Sequence, residues 1–489
     1  MHAKDFDYLL DESVDLRKPQ VPSGFHKLPY RLTKMRYLAL IVMNLVLFGY
    51  LAVFDCPQPL EKAMKDTLGI SEQTYDKLYT FLAIPNIFLP IFAGMLVDRM
   101  GVRPSLLFFG FLVFAGQALL AYGGYLLNFN VMLIGRVLYS LGADPLNIAQ
   151  VVMINKWFKG KELALAISLG TLMAGGGKAF NSILVPLIYD EFHNLWAPLA
   201  FGAFICLLSL VCIFIMIVWD KANDNLELAM NPKFGAEAGS GEHFSFSDLK
   251  KFKFIVWLLV FNYGIFDGTI FTLRAILNEF YQDNYNYTAA KAGQMISLHY
   301  IVMAVSSPIM GKMVDKVGKR ASITLFTSFL GVLGFAYYIL VPTLPAGSQG
   351  LGPYIPLVLF GLYMGLDDAA VFASLPLVLD EKYLGTGYGL YYVVENLVLT
   401  GLPMITGEIS ERYEALGDPV TGYYWISVIL GGMAVLGAIE SLVLWIEDRR
   451  TGAVLDKTVA KSDDEFEPVS GTDVSSDAER AMNKHQPTY

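Results

Sequence analysis

The chain alternates between long apolar runs and short polar joints. Twelve runs are each long enough to cross roughly 30 Å of hydrocarbon as a helix: 37–55, 78–97, 104–126, 131–152, 162–188, 196–219, 254–275, 292–311, 321–342, 353–378, 386–407 and 421–446. Lipid offers no partner to a bare backbone N–H or C=O, so such runs are expected to be helical. A membrane barrel would instead show alternating segments of about ten residues, and the sequence has none. The pattern predicts an all-α polytopic membrane protein of twelve transmembrane helices in two six-helix bundles. The expected division is a tail at 1–36, a first bundle at 37–219, a polar linker at 220–253, a second bundle at 254–446 and a tail at 447–489.

Composition adds little to this. Hydrophobic residues make up 54% of the 489, above the roughly 45–50% of soluble domains. The net charge of −9 owes much to "KSDDEFEPVSGTDVSSDAER" in the last segment, which is polar and Ser-rich, so 447–489 is expected to be disordered. It points to no nucleic-acid partner. The three cysteines form no framework.

Lys and Arg set the expected orientation. The joints after runs 2, 4, 8 and 10 hold Arg99, Arg103, Lys156, Lys159, Lys161, Lys312, Lys316, Lys319, Arg320 and Lys382, while those after runs 3, 5 and 9 hold none. The positive-inside bias therefore places both termini in the cytoplasm. "NYT", with Asn286, is the one N-x-[ST] sequon and falls on the opposite side, where glycosylation occurs. "DFDYLL" sets Asp5 before Leu9 and Leu10. It resembles the acidic dileucine signal read by endosomal sorting adaptors, and a chance match in a polar tail is the alternative.

A charged turn occurs twice: "GMLVDRMGVR" (Gly94–Arg103) after run 2 and "GKMVDKVGKR" (Gly311–Arg320) after run 8. The same turn at the same place in each half marks a parallel internal repeat. Gly94 and Asp98 lie one helical turn apart and share a face, so the glycine admits a close neighbour and the carboxylate reaches it. The two turns resemble the signature loop of the major facilitator superfamily and its second copy. The resemblance implies that Asp98, Arg99, Arg103, Asp315, Lys316 and Arg320 latch the halves together. "FDCPQPL", "LYTFLAIPN", "WFKGKELALAISL", "SSPIMGKMVDKVGK" and "LGTGYGLYYVVENL" narrow it further. They resemble segments of the major facilitator superfamily domain-containing protein 1 family of lysosomal dipeptide transporters. That family implies a small-molecule cargo moved by alternating access, no cofactor, and a glycosylated single-span accessory subunit.

Ionisable residues inside the runs each need a reason, since each costs about 2.5–3.5 kcal/mol to insert. They include Arg136, Asp144, Lys178, Asp267, Arg274, His299, Asp367, Asp368 and Glu395. The resemblance makes Asp144 the group that holds the cargo's amino end; a salt bridge to Arg136 or Lys178 is the alternative. The family's carboxylate-holding arginine falls in register on Gly175, and Lys178, three residues on, either takes that role or pairs with Asp144. Asp367, Asp368 and Glu395 stand where the relatives are expected to carry apolar or amide residues, which suggests proton coupling or a cationic cargo. Asp367 and Asp368 point about 100° apart, so only one is expected to face a cavity; the other meets Arg274, His299 or a hydroxyl. His299 either titrates or is a bonded core residue. Tyr50, Tyr263, Tyr300, Tyr391 and Tyr392 are candidates to line the site, with Asn181 and Asn396 as amide donors.

Enzyme motifs fail. "GGGK" (175–178) lacks the P-loop spacing, "GTGYGL" (385–390) ends in leucine and opens a membrane run, and no H-E-x-x-H, CxxC pair or G-x-S-x-G is present. The sequence therefore reads as a non-enzymatic transporter of dipeptides or related small amino compounds in the lysosomal or endosomal membrane, by uniport or with protons. The alternatives are a carrier of another solute, such as a cationic amino acid or an organic anion, at the lysosomal or the plasma membrane, and a non-transporting sensor or scaffold.

Overall fold

A computed structural model of the chain describes residues 29–158, 162–230, 246–340 and 352–457. Asp5, Leu9 and Leu10 lie outside them. The first half contains α1 (Met35–Phe54), α2 (Glu61–Leu68), α3 (Glu72–Asn86), α4 (Leu89–Met100), α5 (Val102–Leu126), α6 (Phe129–Phe158), α7 (Leu163–Phe192) and α8 (Trp196–Met230). The second contains α9 (Phe254–Tyr285), α10 (Ala289–Val317), α11 (Arg320–Leu340), α12 (Ile355–Ala370), α13 (Leu375–Val378), α14 (Leu384–Ala415) and α15 (Pro419–Arg450).

Each of the twelve runs overlaps a helix. Among the described residues, nine helices are long and apolar enough to cross a membrane. The other three runs depart from that rule for visible reasons. Run 78–97 is split into α3 and α4 by a turn flanked by Pro85 and Pro90, which supply no backbone N–H. In α10 and α14 the apolar content is diluted by groups that turn inward, among them His299, Ser306 and Ser307, and Thr386, Glu395 and Thr406, all buried.

Two boundaries differ from the sequence expectation. The helix of run 196–219 does not stop at a linker beginning at 220 but continues to Met230. Asp220, Asp224 and Glu227 recur at helical spacing and engage Arg103, Lys156 and Arg31, so the polar extension has partners on one face. The disorder expected from 447 onward does not hold for residues 447–457. α15 runs to Arg450, and the chain then folds back so that Leu455 is buried. Its backbone carbonyl accepts from Arg320 N–H at 3.0 Å. Asp456 accepts from Ser322 N–H (3.2 Å) and its hydroxyl (2.9 Å), filling orphan donors at the start of α11.

Lipid removes most of the hydrophobic drive between helices, so close packing must hold them. In the first half α5 meets α6 through small residues: a Cβ on Gly116 would come within 2.6 Å of Tyr139 Cα. In the second half the core is aromatic, with Phe335 against Phe360 (ring centroids 4.9 Å apart) and Phe266 against Tyr363 (5.3 Å). The halves touch chiefly through α4 with α14 and α7 with α10.

Candidate functional site: a doubled charged turn and a central acidic cluster

Both copies of the charged turn end a helix on a left-handed glycine, Gly101 (φ 84°) and Gly318 (φ 67°), a conformation that suits glycine. Each aspartate then crosses to the other half. Asp98 accepts from the Gly385 N–H (2.8 Å), the Thr386 N–H (2.7 Å) and the Thr386 hydroxyl (2.6 Å) at the start of α14. Asp315 accepts from the Ala164 and Leu165 N–H groups (3.0 and 2.9 Å) at the start of α7. A carboxylate at a helix N-terminus meets unsatisfied donors and the positive end of the dipole. Arg320, buried, braces Asp315 (3.2 Å) and donates to the Ala373 carbonyl (2.8 Å). Arg103 turns instead into its own half, onto Asp220 (2.6 Å) and Asp224. Arg99 and Lys316 are exposed. Asn155 donates to the Tyr388 hydroxyl across the same interface at 2.9 Å. The end of the molecule that carries the basic joints is therefore closed between the halves.

Farther along the interface, α6 and α7 face α9, α12 and α14. Asn147 donates to the Tyr392 hydroxyl (2.6 Å) and the Thr171 hydroxyl donates to Asp368 (2.6 Å), both across the halves. Asp144, one turn before Asn147, shares its surroundings with Tyr50, Tyr392 and Glu395. Lys178, two turns after Thr171, lies 5.9 Å from the Phe271 ring of α9 and acts electrostatically on Asp267. Asp267 and Glu395 stand within hydrogen-bonding reach of each other. Tyr263 stacks on Tyr391 at 5.0 Å and meets Tyr392 edge-on at 6.4 Å. Arg274 lies over Phe271 (4.4 Å) and Tyr300 (5.2 Å) and points to the Met364 sulfur. A Cβ on Gly175 would meet nothing within 4 Å, so this wall of α7 fronts open space.

The structure thus gathers Asp144, Lys178, Tyr263, Asp267, Asp368, Tyr392 and Glu395 around one place between the halves. Other candidates sit apart from it. Arg136 lies eight residues before Asp144, about 12 Å along α6. It donates to the Phe54 carbonyl (2.5 Å) and lies over the rings of Phe54, Tyr79 and Tyr139 at 5.5–5.7 Å. Among the described residues no ion pair joins it to Asp144, so the salt bridge weighed between them does not form. Asn181 donates to the Asp55 carbonyl at 3.1 Å, inside the first half. His299 is buried, and its Nε2 has no hydrogen-bond partner. Tyr300 is partly exposed, and Asp367 is buried in the second half. Asn396 donates to its own helix at Tyr392. Asn286 is exposed in the joint between α9 and α10, at the end opposite the latch.

Sequence reasoning missed Thr171, Asn147 and Asn155, small polar residues that give no signal until their partners are known. It also missed Glu440, which lies inside run 421–446 and carries the same signal as the other acids.

Comparison with known proteins agrees with this geometry. The family model described as "Major Facilitator Superfamily" matches residues 43–403. The lysosomal dipeptide transporter MFSD1 of Homo sapiens is 27% identical over 456 residues, covering 91% of this chain and 93% of that protein. The protein of the same name from Danio rerio is 27% identical over 429 residues, covering 84% and 87%. Among solved structures, the transporter FucP in its outward conformation superposes with a TM-score of 0.60 at 13% identity, covering 83% of this chain and 99% of that one. The human organic anion transporter MFSD10 gives 0.59 at 16%, covering 84% and 100%; these two likenesses speak to fold. With a family match over most of its length, a repeated charged turn whose aspartates bond across two helical halves and a cluster of acids between them, this chain belongs to the major facilitator superfamily of membrane transporters.

Proposed function

We propose that the chain carries dipeptides or closely related small amino compounds across the lysosomal or endosomal membrane by alternating access. The observation that carries this reading is that Asp144 and Lys178, on two helices of the first half, both act on the neighbouring carboxyl groups Glu395 and Asp267 of the second half. Asp144 holds the cargo ammonium and Lys178 the carboxylate, while Tyr392 and Tyr263 offer apolar bodies with polar tips. The names of the relatives from Homo sapiens and Danio rerio support the cargo class and compartment. In this reading the basic end faces the cytoplasm, the latched form is open to the lumen, and breaking both latches opens the cytoplasmic side. Asn286 then faces the lumen, a glycosylated accessory subunit binds there, and the N-terminal tail meets sorting adaptors.

One departure favours a second reading of the cargo. Gly175 leaves the carboxylate end with a lysine alone, a point charge with no bidentate grip, while Asp144, Asp267, Asp368 and Glu395 share the cavity. That balance favours cargo with a net positive charge, such as a dipeptide with a basic side chain or a cationic amino acid. Uptake of labelled neutral, basic and acidic dipeptides and of free amino acids into liposomes holding the pure protein tests both readings. Flux of basic or neutral dipeptides is expected. Flux of free amino acids alone would replace the dipeptide reading, and no flux of any solute by folded protein would favour a scaffold.

A further inference from the structure

Arg136 of α6 stands apart from the central acids, and with no bridge to Asp144 it has no role in the cargo reading. Its neighbour Gly135 fixes α6 against α5: a Cβ there would come within 2.4 Å of the Leu120 backbone nitrogen. Arg136 reaches instead to the end of α1 and to α3, and it is sealed there, 0% exposed. A guanidinium carries five N–H donors. Nη2 meets the Phe54 carbonyl at the end of α1 (2.5 Å). Nε and Nη1, which hold the other N–H donors apart from those of Nη2, are buried without a hydrogen-bond partner. Among the described residues no carboxylate pairs with it. Asp55, which follows Phe54, is partly exposed and makes no ion pair with it.

Charge is missing at this place as well as hydrogen bonding. The rings of Phe54, Tyr79 and Tyr139 lie 5.5–5.7 Å from the guanidinium carbon. Ring faces attract a cation, and the carbonyl end of α1 adds a partial negative charge, but neither cancels a whole charge. A water molecule would accept from Nε and Nη1 and still leave that charge buried, which is strongly unfavourable away from bulk water. One small anion satisfies both needs. The sealing restricts it in size, and the single unmatched charge makes it monovalent. The Cys56 thiol, 1% exposed and in no disulfide, is an electrostatic neighbour of Arg136. A thiol is a weak, polarisable donor, which suits a halide.

We propose that Arg136 holds one halide ion, chloride under physiological conditions, at its Nε and Nη1 and beside the Cys56 thiol. The place lies about 12 Å from Asp144 toward the beginning of α6, at the end opposite the latch, so it is separate from the cargo site. The Tyr75 hydroxyl donates to the Pro57 carbonyl (3.0 Å) and meets the Tyr79 hydroxyl (3.3 Å), which joins α3 to the turn after α1. The anion completes the shell of Arg136 and fastens both of these to α6. The proposal does not depend on which cargo is carried.

The full chain in detergent tests this. Potassium gluconate is exchanged for potassium chloride or bromide at constant ionic strength, and thermal unfolding is followed. Each halide is expected to raise the midpoint by several degrees in a saturable way, as a ligand bound by the folded state does. Arg136→Gln is expected to lose that rise, and Arg136→Lys to need about tenfold more halide for half of it. Crystals of the unsubstituted protein in bromide are expected to give an anomalous peak beside Nε and Nη1, a readout that requires no variant to fold. Density for water there, with no bromide signal, overturns the proposal. So does unfolding that is the same in gluconate and in halide, or a folded Arg136→Gln with an undiminished halide response. If Arg136→Gln does not fold, the presence or absence of the bromide peak decides.

Discussion

Asp98 and Asp315 make the same bond from opposite halves: each carboxylate takes two consecutive backbone N–H groups at the start of a helix across the interface. Hydrogen bonds to charged groups contribute about 1.5–3 kcal/mol, and water at the membrane edge offsets part of that when they break. Asp98→Ala is therefore expected to favour opening at the basic end by about 2 kcal/mol, a shift of roughly 30-fold in the ratio of states. Spin labels at Arg99 and Glu381, exposed residues on opposite halves, report it. A longer-distance population is expected to grow in Asp98→Ala. An unchanged distance distribution would show that Asp98 does not hold this end shut.

Close approach at the same interface depends on glycine. A Cβ on Gly311 would come within 2.7 Å of the Ala164 carbonyl and 2.9 Å of Leu165 Cα, and one on Gly94 within 2.9 Å of Thr386 Cα. These are backbone atoms, which cannot rotate out of the way. Overpacking of this kind costs about 1–3 kcal/mol, and here only the latched state bears it. Gly311→Ala is expected to open the basic end as Asp98→Ala does. Gly432→Ala, whose Cβ meets nothing within 4 Å, is the control and is expected to leave the distances unchanged. Equal behaviour of the two variants would separate packing from latching.

Much of this arrangement is legible in the sequence because two signals are local. An apolar run long enough for lipid predicts a helix, and the repeated G-x-x-x-D-[RK]-x-G turn predicts which helices cross between halves. The bond made by Asp98 depends only on a carboxylate at a helix end and a glycine one turn before it. The central site is less legible. Whether Asp144 meets Arg136, Lys178 or Glu395 depends on how α6 faces α7 and α14, and no spacing within α6 states that. Arg136 illustrates the limit: a cation in an apolar run invites an acidic partner, yet its Nη2 meets a backbone carbonyl, three aromatic rings lie around the guanidinium, and Nε and Nη1 are buried without a hydrogen-bond partner. Likewise the partner of Asp368 is the hydroxyl of Thr171, a residue with no feature of its own in the sequence.

The carboxylate end of the proposed cargo site offers a gain-of-function test. Gly175 opens on free space, and Lys178 stands one turn further along the same helix. An arginine at 175 would supply a planar fork to a carboxylate, which a lysine cannot. Gly175→Arg is expected to tighten dipeptide binding about tenfold, or about 1.4 kcal/mol, and Lys178→Ala to weaken it by a similar factor. Calorimetric titration of the purified variants checks both. If neither substitution changes the affinity for a dipeptide while Asp144→Asn abolishes it, the cargo carboxylate lies elsewhere in the cavity.

Asp220 makes a different kind of contribution, to the stability of the first half and not to its alternation. It is fully buried and accepts from Arg103 (2.6 Å), Lys156 (2.7 Å) and the Trp157 indole (2.8 Å), tying the ends of α5, α6 and α8 together. Removing one partner of a buried pair costs about 3–5 kcal/mol when the other stays buried and unpaired. Arg103 and Lys156 are each more than a quarter exposed, so water serves them in part, and a loss of about 2 kcal/mol is expected for Asp220→Asn. The apparent melting temperature in detergent is expected to fall by several degrees, and the loss to shrink in high salt, which screens the partly exposed partners. The distance between labels at Arg99 and Glu381 is expected to stay as in the unsubstituted protein, because Asp220 bonds within one half. A change in that distance, with no change in melting, would make Asp220 part of the latch.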